Sequence, residues 1–482
     1  MKFVDALRQG DTVTENGMKT NSTSLNAVVD LFFNIGAMRG QDKNRLIANF
    51  SKSFNEDPTR SLKILFWARD IRGGAGERQI FRDIVKYLAD QKTESIRPLL
   101  PLIAEYGRWD DMLTFEDTVL QDDAFAIIED ALSLGDGLCA KWMPRKGKTA
   151  AKLRNYMNMT PKQYRKTLVG LTDVVETQMC NGEWDTIQFG KLPSVASARY
   201  QKAFGKNAPA AYGEYIEGLV KGTEKINAGA VYPYDVIKSL RSGNGTVAQA
   251  QWEALPNYLE GSADMILPVV DVSGSMGASA GGNSNLSCLD VAISLGLYIS
   301  ERNEGPFKDA FLTFSSEPTL EVLNGSLHDR FLQMSRVDWG MSTNIEATFR
   351  LILNQAIKNS VSPGDMPGKI LILSDMEFDE ASKSSGSGWY RRQTSHKWNP
   401  TAQELIEKMY SDAGYEVPQI VYWNIQSRGG NVPVAYDKTG TALISGFSPA
   451  IMKSVLGAED MTPVGIMDKT IMSERYEDIK ID

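Results

Sequence analysis

The pattern of apolar positions along the chain changes character near residue 260. Before that point, apolar side chains recur every three or four positions, which is the spacing of one face of a helix. We expect Ser24 to cap one of these helices, and Asp57, with Pro58 at the first helical position, to begin another. Short helices separated by short turns predict stacked helical pairs. The clearest predicted helices lie within residues 21–38, 57–74, 81–88 and 160–179.

After residue 262, apolar runs of strand length alternate with helical stretches. The runs "MILPVV", "DAFLTF", "GKILILS" and "PQIVYWNI" are continuous, and such strands are typical of a mainly parallel sheet covered by helices. Pro268 lies in the first run, where a proline cannot donate to a central ladder, so we expect a bulge or an irregular start there. The predicted fold class is α plus α/β: a helical domain, 1–255, followed by an α/β domain, 262–482.

Composition narrows the classes of function. The 482 residues are 42% apolar and 23% charged, as in ordinary folded soluble proteins, and no stretch has the roughly 18–20 apolar residues of a membrane helix. The N-terminus lacks the apolar core of a secretory signal, so we expect a cytoplasmic protein with no membrane partner. Three distant cysteines fit neither a disulfide framework nor a zinc site. Two histidines argue against His-based metal sites and a Ser-His-Asp triad.

Charge is unevenly distributed along the chain. Residues 1–250 hold 34 Lys and Arg against 30 Asp and Glu, a balance of +4, and the remainder holds 18 against 30, a balance of −12. The net charge of −8 argues against a nucleic-acid binder along the whole chain. One window, 141–171, contains no acid and includes Trp142, Tyr156 and Tyr164. Its basic residues are Lys141, Arg145, Lys146, Lys148, Lys152, Arg154, Lys162, Arg165 and Lys166.

This basic window has two interpretations. In an RNA-binding surface, the basic side chains contact phosphates and the aromatic rings stack on exposed bases. In an ordinary helix face, the charges are solvated and the rings point into the core. The turn "RGGAGER" (72–78) is equally open. Its glycines suit helix C-capping and tight packing, whereas Arg69, Arg72 and Arg78 could line an RNA-facing surface.

Short oxygen-bearing side chains follow two of the predicted strands. "DVSGSM" places Asp271, Ser273 and Ser275 at the end of one strand, Thr343 precedes a helix, and Asp375 ends another strand. Because ligands bind at the carboxyl ends of parallel strands, we expect these side chains to converge. Hydroxyl and carboxylate oxygens are the ligands that a hard cation prefers, so the sequence predicts a divalent-cation site, with Mg²⁺ favoured. The alternative is that they are strand-end turn residues.

The five oxygen-bearing residues resemble the metal-ion-dependent adhesion site (MIDAS) of von Willebrand factor A domains. The match includes the D-x-S-x-S of Asp271, Ser273 and Ser275, with Thr343 and Asp375 in the same order and local structure. The resemblance implies a doubly wound α/β domain. It also implies that the two serines and the threonine bind the metal, that the aspartates bind directly or through water, and that a partner carboxylate often completes the shell.

The helical half carries a second resemblance. The stretches "ARDIRGGAGERQIFRDIV", "YGRWDDML", "KWMPRK" and "INAGAVYPYDVI" resemble the TROVE module of Ro ribonucleoproteins. The similarity is closer to a related uncharacterised family that joins such a helical region to the same A domain. The resemblance implies HEAT-like helical repeats in a ring that the A domain closes. It further implies binding of small structured non-coding RNA, or of the loose ends of misfolded RNA.

Two candidate functions follow. The first is a non-catalytic, Ro-like RNA-binding protein with a metal-bearing A domain, since two-metal nucleases need more clustered acids than this chain offers. The second is a metal-dependent protein-interaction or assembly module, in which the helical half is a scaffold. Beyond Asp375, a Ser/Gly-rich stretch carries Trp389, Tyr390, Arg391 and Arg392. These residues either contact a partner that approaches the cation or belong to a surface insertion.

Overall fold

The chain folds into two compact units, and each unit combines separate stretches of sequence. The computed structural model describes residues 10–243, 245–281, 286–314, 317–336, 343–380 and 400–481. The first unit comprises Met1–Ser61 and Asn257–Ser473, and the second comprises Leu62–Pro256 and Glu474–Asp482. This division differs from the predicted domains 1–255 and 262–482. The N-terminal residues up to Ser61 belong to the unit that contains the sheet, and the C-terminal residues from Glu474 belong to the helical unit.

The first unit contains a six-stranded sheet with the order β5-β4-β3-β6-β7-β8. All neighbouring strands in it are parallel except β4 and β5, which are antiparallel. The predicted α/β architecture with a mainly parallel sheet is therefore confirmed. The six strands of this sheet are β3 (Ile266–Asp271), β4 (Ala310–Phe314), β5 (Leu320–Val322), β6 (Lys369–Ser374), β7 (Gln419–Asn424) and β8 (Thr441–Ser445). Strands β1 (Thr12–Val13) and β2 (Lys19–Thr20) form a separate antiparallel pair.

The continuous apolar runs form the central strands, and every residue of β3, β4 and β6 is buried. Burial on both faces explains why these runs do not alternate with polar residues. Pro268 lies within β3 and pairs with Leu371 of β6, whereas β4 pairs with β3 only from Val269 onward. The ladder with β6 runs through Pro268 without a bulge, whereas the ladder with β4 begins one residue later. Of the two expectations, the irregular start agrees with this pairing.

The described helices divide into those that precede the sheet and those that follow its first strand. The first group is α1 (Ala27–Ile35), α2 (Lys43–Glu56), α3 (Pro58–Arg69), α4 (Arg78–Gln91), α5 (Thr93–Ile96), α6 (Ile103–Tyr106), α7 (Gln121–Ser133), α8 (Gly137–Trp142), α9 (Gly147–Tyr156), α10 (Pro161–Leu171), α11 (Val175–Asn181), α12 (Ser194–Asn207), α13 (Pro209–Lys221), α14 (Pro233–Arg241) and α15 (Gly245–Glu253). The second group is α16 (Cys288–Arg302), α17 (Leu327–Arg336), α18 (Ile345–Lys358), α19 (Ala402–Ala413), α20 (Met452–Val455) and α21 (Pro463–Ile471). Within the described ranges, no helix combines the length and the apolar character needed to cross a membrane.

Helix α1 belongs to the sheet unit because it packs directly on β8. The hydroxyl of Ser445 donates to the carbonyl of Phe32 at 2.8 Å and accepts from the backbone N–H of Gly36 at 3.1 Å. A Cβ on Gly36 would lie 2.8 Å from the backbone of Gly446, so this approach requires glycine. The prediction that Ser24 is the N-cap of this helix is wrong. Asn26 caps the helix instead, because its side-chain oxygen accepts the first free backbone N–H groups.

The helical unit contains one break that the periodicity did not indicate. The predicted helix over 160–179 is two helices, α10 and α11. Thr160 caps α10, with its hydroxyl accepting the N–H of Gln163 at 3.3 Å. The helix ends at Leu171, where Thr172 donates its hydroxyl to the carbonyl of Leu168 at 2.6 Å. The backbone N–H of Thr172 donates to the same carbonyl at 3.1 Å, and the chain leaves the helix at Thr172, which is extended with a ψ of 103°.

The glycine-rich turn between α3 and α4 is closely packed. The N–H groups of Gly74 and Ala75 donate to the carbonyls of Asp70 and Trp67, each at 3.1 Å. A Cβ on Gly74 would lie 1.9 Å from the Trp67 carbonyl oxygen. Gly76 adopts a φ of +71°, which L side chains rarely adopt. These contacts support the packing interpretation of the turn.

The arginines near this turn differ in exposure. Arg69 is buried against Asp111. Arg72 and Arg78 are exposed, so an RNA-facing role for those two stays a prediction.

Residues 474–481 complete the helical unit at the same turn. The buried carboxylate of Asp70 accepts from Arg475 Nη2 at 2.8 Å and from the hydroxyl of Tyr476 at 3.0 Å. The ring of Tyr476 stacks on Tyr106 with centroids 5.6 Å apart, and Tyr106 donates to the Arg475 carbonyl. This segment is therefore an internal part of the unit.

We predict that Tyr476→Ala destabilises the helical unit by about 3–5 kcal/mol, the usual cost of removing a buried aromatic side chain. Thermal unfolding followed by circular dichroism should show a transition roughly 2–4 °C lower for each kcal/mol. Lys480→Ala, an exposed change in the same segment, is the control and should leave the transition in place. Equal transition temperatures for the two variants would show that residues 474–481 do not stabilise the helical unit.

Candidate functional site

The predicted metal ligands lie at the carboxyl edge of the sheet. Strands β3 and β6 are parallel neighbours and flank the point at which the strand order reverses, where open α/β sheets bind their ligands. Asp271 ends β3 and Asp375 directly follows β6. Ser273 and Ser275 lie in the turn after β3, with their hydroxyl oxygens 2.9 Å apart. The sheet therefore brings these four side chains to one place.

Asp271 is fully buried and held by two donors. One carboxylate oxygen accepts the backbone N–H of Ser273 at 2.9 Å, and the other accepts the hydroxyl of Ser374 at 2.5 Å. The Ser374 hydroxyl also accepts the N–H of Met376 at 3.0 Å. This chain of bonds ties the end of β3 to the loop that follows β6, and it fixes the orientation of the Asp271 carboxylate.

Two buried oxygens at this edge lack a hydrogen-bond partner among the described residues. They are Oγ1 of Thr343, which is fully buried just before α18, and Oδ2 of Asp375, which is 3% exposed. The carbonyl of Thr343 accepts the N–H of Asp379 at 3.0 Å, so Thr343 is joined to the loop that carries Asp375. Both atoms belong to predicted metal ligands, and buried polar atoms are nearly always paired.

The two carboxyl groups disfavour each other's charge. Burial raises the pKa of Asp271, and the nearby charge of Asp375 raises it further. Burial also raises the pKa of Asp375, while a bond from Ser275 and the positive charge of Arg428 act in the opposite direction. Arg428 is half-buried and donates from Nη2 to the Ser275 carbonyl at 2.6 Å. A cation between these carboxylates would favour their ionised forms.

The residues fit a hard divalent cation. No group of three or more His, Cys, Asp or Glu side chains in the described ranges is arranged to hold a metal ion. The predicted set contains just two carboxylates, and its other members are hydroxyls. The fit therefore rests on oxygen chemistry, which suits Mg²⁺, and on the unpaired oxygens of Thr343 and Asp375.

The N-terminal segment reaches this edge, and the sequence analysis missed it. Buried Glu377 accepts the backbone N–H of Glu15 at 2.7 Å and the side-chain amide of Asn431 at 2.8 Å. Its carbonyl accepts from the Asn16 side chain at 2.6 Å. Residues 14–20 have no amphipathic period that would indicate such a place. Glu377 thus joins three loops beside the candidate metal ligands.

The basic window forms parts of α8, α9 and α10 and the turns between them. Lys152 pairs with Glu116 at 2.9 Å and with Asp117 at 2.5 Å, and Lys141 lies 3.9 Å from Glu176. The remaining cations form no ion pair with any described residue. Six basic side chains of the window are exposed: Arg145, Lys146, Lys148, Lys162, Arg165 and Lys166.

The aromatic rings of the basic window contact protein. Tyr164 is 3% exposed and donates its hydroxyl to the Pro144 carbonyl at 3.0 Å. Tyr156 packs edge-on against Phe125 with centroids 5.7 Å apart. The guanidinium of Arg108 lies 3.8 Å from the centre of the Trp142 ring. Tyr164 is therefore not available to stack on an RNA base, and that prediction is wrong. The RNA-binding interpretation depends instead on the positively charged side chains.

The loop residues Trp389, Tyr390, Arg391 and Arg392 lie outside the described ranges, so their predicted contact with a partner stays a prediction.

Comparisons with known proteins place the chain among families defined by sequence. Residues 14–133 and 132–265 match a family described as a domain of unknown function, DUF2828, and these matches span more than half of the chain. Residues 265–479 match a second domain of unknown function, DUF7788. The chain is 29% identical over 514 residues to Uncharacterized protein L728 of Acanthamoeba polyphaga mimivirus, covering 94% of this chain and 86% of the relative. The two family matches meet just before β3.

We predict that Asp271→Asn stabilises the metal-free protein at pH 7–8 by at least about 1 kcal/mol. A carboxyl whose pKa is higher in the folded state than in the unfolded state contributes stability in acid and loses it as the pH rises through the folded value. The gain from removing the charge should therefore be absent near pH 4 and appear toward neutral pH. Melting temperatures measured after removal of divalent cations test this.

Asp365→Asn, a change at an exposed position of the same unit, is the matched control and should shift the melting temperature little at any pH. A melting temperature for Asp271→Asn that follows the wild type from pH 4 to pH 8 would show that the buried pair causes no repulsion.

Proposed function

The chain belongs to the family described as domain of unknown function DUF2828, and we propose that it is a non-catalytic, Ro-like RNA-binding protein whose sheet unit holds a divalent cation. In this proposal the helices form a HEAT-like TROVE module and the sheet unit is a von Willebrand factor A-type domain. The observation that carries the RNA role is the exposed basic surface of 141–171, which contains no acid.

The charge arrangement favours contacts with phosphates. The exposed cations lie on α9, on α10 and in the turn before α9, and none forms an ion pair with a described residue, although Lys148 adds to the effect of Lys152 in lowering the pKa of Asp117. These side chains can therefore replace the counter-ions of a nucleic acid. The aromatic rings contribute little, because Tyr164 and Tyr156 are occupied by protein contacts. We therefore propose recognition of small structured or misfolded RNA through its backbone and shape, with little base-specific stacking.

The metal role is supported by the geometry at the carboxyl edge of the sheet. Asp271, Ser273, Ser275, Thr343 and Asp375 would hold a cation, most simply Mg²⁺. The strand order of the sheet, with its reversal between β3 and β6, agrees with the doubly wound arrangement of A domains. When bound, the cation would supply an electrophilic centre that accepts a carboxylate from a protein partner.

A second candidate function is a metal-dependent protein-interaction or assembly module without RNA. One observation favours it: the aromatic residues expected to stack on bases are packed against protein. The helical unit would then act as a scaffold, and the basic surface would be a solvated helix face. Metal binding is common to both candidates, whereas RNA binding separates them.

Thr343→Val tests the metal site. The Thr343 hydroxyl makes no hydrogen bond with a described residue, so its loss should leave metal-free stability intact and weaken cation binding by about tenfold, or 1.4 kcal/mol. Calorimetric titration with Mg²⁺ or Mn²⁺ measures the affinity. Thr348→Val is the control, because the buried Thr348 hydroxyl already donates to the Asn344 carbonyl at 3.1 Å.

Equal cation affinity in wild type, Thr343→Val and Thr348→Val would remove Thr343 from the site. Failure of the wild type to bind either cation would overturn the metal proposal as a whole.

Charge reversal of the basic surface tests the RNA role. Glutamate at Arg145, Lys146, Lys162 and Arg165 should weaken binding of a structured RNA at least about tenfold and lower the salt dependence by nearly one unit of slope per lost contact. Fluorescence anisotropy over a range of salt concentrations measures both. The control reverses four exposed lysines elsewhere on the helical unit, Lys191, Lys202, Lys206 and Lys225.

The two variants carry the same net charge, so long-range repulsion affects both equally. If they bind RNA equally well, the basic surface is not the contact. If the wild-type protein, purified from its native cells, carries no nuclease-sensitive RNA and binds none in solution, the assembly-module candidate is favoured.

A further inference from the structure

A cavity of about 450 Å³ lies in the sheet unit between α1, α2 and the loop after β7. Its volume falls within the range of small-molecule sites in proteins. The residues that matter for its chemistry are Asp30 and Asn34 of α1, Arg45 and Lys52 of α2, and the backbone of Gly429-Gly430. None of these residues belongs to the candidate metal ligands or to the basic window.

Arg45 brings a partly buried positive charge to the cavity without a carboxylate partner. Its Nη1 donates to the carbonyls of Ser427 and Arg428, and its Nη2 donates to the Ser427 hydroxyl at 3.1 Å. Arg45 forms no ion pair with a described residue, and burial lowers its pKa. Three neutral acceptors hold this guanidinium in place, so its positive charge has no anionic partner among the described residues, although buried charges are usually paired with one.

The hydrogen bonds of Arg45 leave one edge of its guanidinium available. The group has five N–H donors, and those on Nη1 are directed to the loop carbonyls. The Nε–H makes no hydrogen bond with a described residue, and Nη2 retains a second N–H. These two donors form the side-on fork that matches the two oxygens of a carboxylate or a phosphate.

The other charged groups of the cavity reinforce this preference. Lys52 is exposed and has no ion pair within the described part of the chain, so its ammonium group adds a second free cation. The carboxyl of Asp30 also lines the cavity, where it accepts the Thr23 hydroxyl and, at 2.7 Å, the N–H of Ser24, and burial raises its pKa. Two cations and one carboxyl therefore line the cavity, which leaves an excess of positive charge.

Glycine in the loop leaves room for Arg45. Gly430 has a φ of +76°, and a Cβ at this position would lie 2.9 Å from Arg45 Nη2. A side chain at Gly430 would displace the guanidinium from the cavity wall. The loop conformation and the arginine position therefore depend on each other.

We propose that this cavity binds a small molecule with a carboxylate or phosphate group, held by the Nε and Nη2 donors of Arg45 and by the Lys52 ammonium. Asn49 provides a further polar group for the remainder of the ligand, because the one hydrogen bond of its amide within the described ranges is a long one, to the sulfur of Met38 at 3.9 Å. The ligand class is thus a compact organic anion or a phosphorylated metabolite.

Calorimetric titration of the full chain with inorganic phosphate and with citrate tests the proposal, using protein freed of divalent cations so that the result is independent of the metal site. We expect the wild type to bind at least one probe with a dissociation constant of about 1 mM or tighter. Binding of either probe supports the proposed anion site. Binding of phosphate alone would indicate a phosphorylated ligand, binding of citrate alone would indicate a carboxylate ligand, and binding of both would show that the site accepts either group.

Two variants locate the binding. Lys52→Gln changes an exposed side chain and should weaken binding about threefold or more, and Arg45→Lys should weaken it about tenfold because lysine cannot form the fork. Lys358→Gln, at an exposed lysine of α18 in the same unit, is the control and should bind as the wild type does. Absence of binding by the wild type overturns the proposal. So does equal binding by the wild type and Lys52→Gln, which would place the anion elsewhere.

Discussion

The burial of two carboxyl groups at adjacent strand ends is the constraint on which the sheet unit depends. Asp271 and Asp375 share an edge that excludes water, and each raises the cost of ionising the other. Much of the local structure opposes this repulsion: a serine hydroxyl on one carboxylate, backbone N–H groups on both, and a half-buried arginine close by. These groups stabilise the arrangement, but within the described residues Oγ1 of Thr343 and Oδ2 of Asp375 have no hydrogen-bond partner. The proposed cation would pair with both oxygens.

One loop connects this edge with the cavity beside α2. Arg428 donates to the turn that carries Ser275, Asn431 donates to Glu377, and Arg45 holds the carbonyls of the same loop from the cavity side. The three contacts lie within a few residues of each other. A ligand in the cavity and a cation at the sheet edge would therefore act on the same backbone. Any influence of one on the affinity of the other must be equal in both directions.

Local physical rules account for the parts of the fold that the sequence predicted. Asp57 and Pro58 begin a helix because they satisfy or remove its first N–H groups, and the buried strands follow from continuous apolar runs. The errors lie at helix ends: Asn26 rather than Ser24 caps α1, and α10 ends at Leu171 although the apolar period continues. The convergence of Asp271 and Asp375 followed from the strand order. In contrast, Glu15 bonds to Glu377 and Tyr476 bonds to Asp70. Each of these pairs is separated by hundreds of residues, so no local sequence pattern could predict it.

The interleaved use of the sequence affects how the protein is made. Residues up to Ser61 belong with strands that are synthesised hundreds of residues later, and the helical unit lacks residues 474–481 until those strands have been made. Neither unit can reach its final packing while the ribosome is still translating the sheet, although many domains fold one after another during synthesis. Apolar helix faces such as that of α1 stay uncovered for that period. A nascent chain of this kind has a longer exposure to chaperones and to aggregation than one built from consecutive domains.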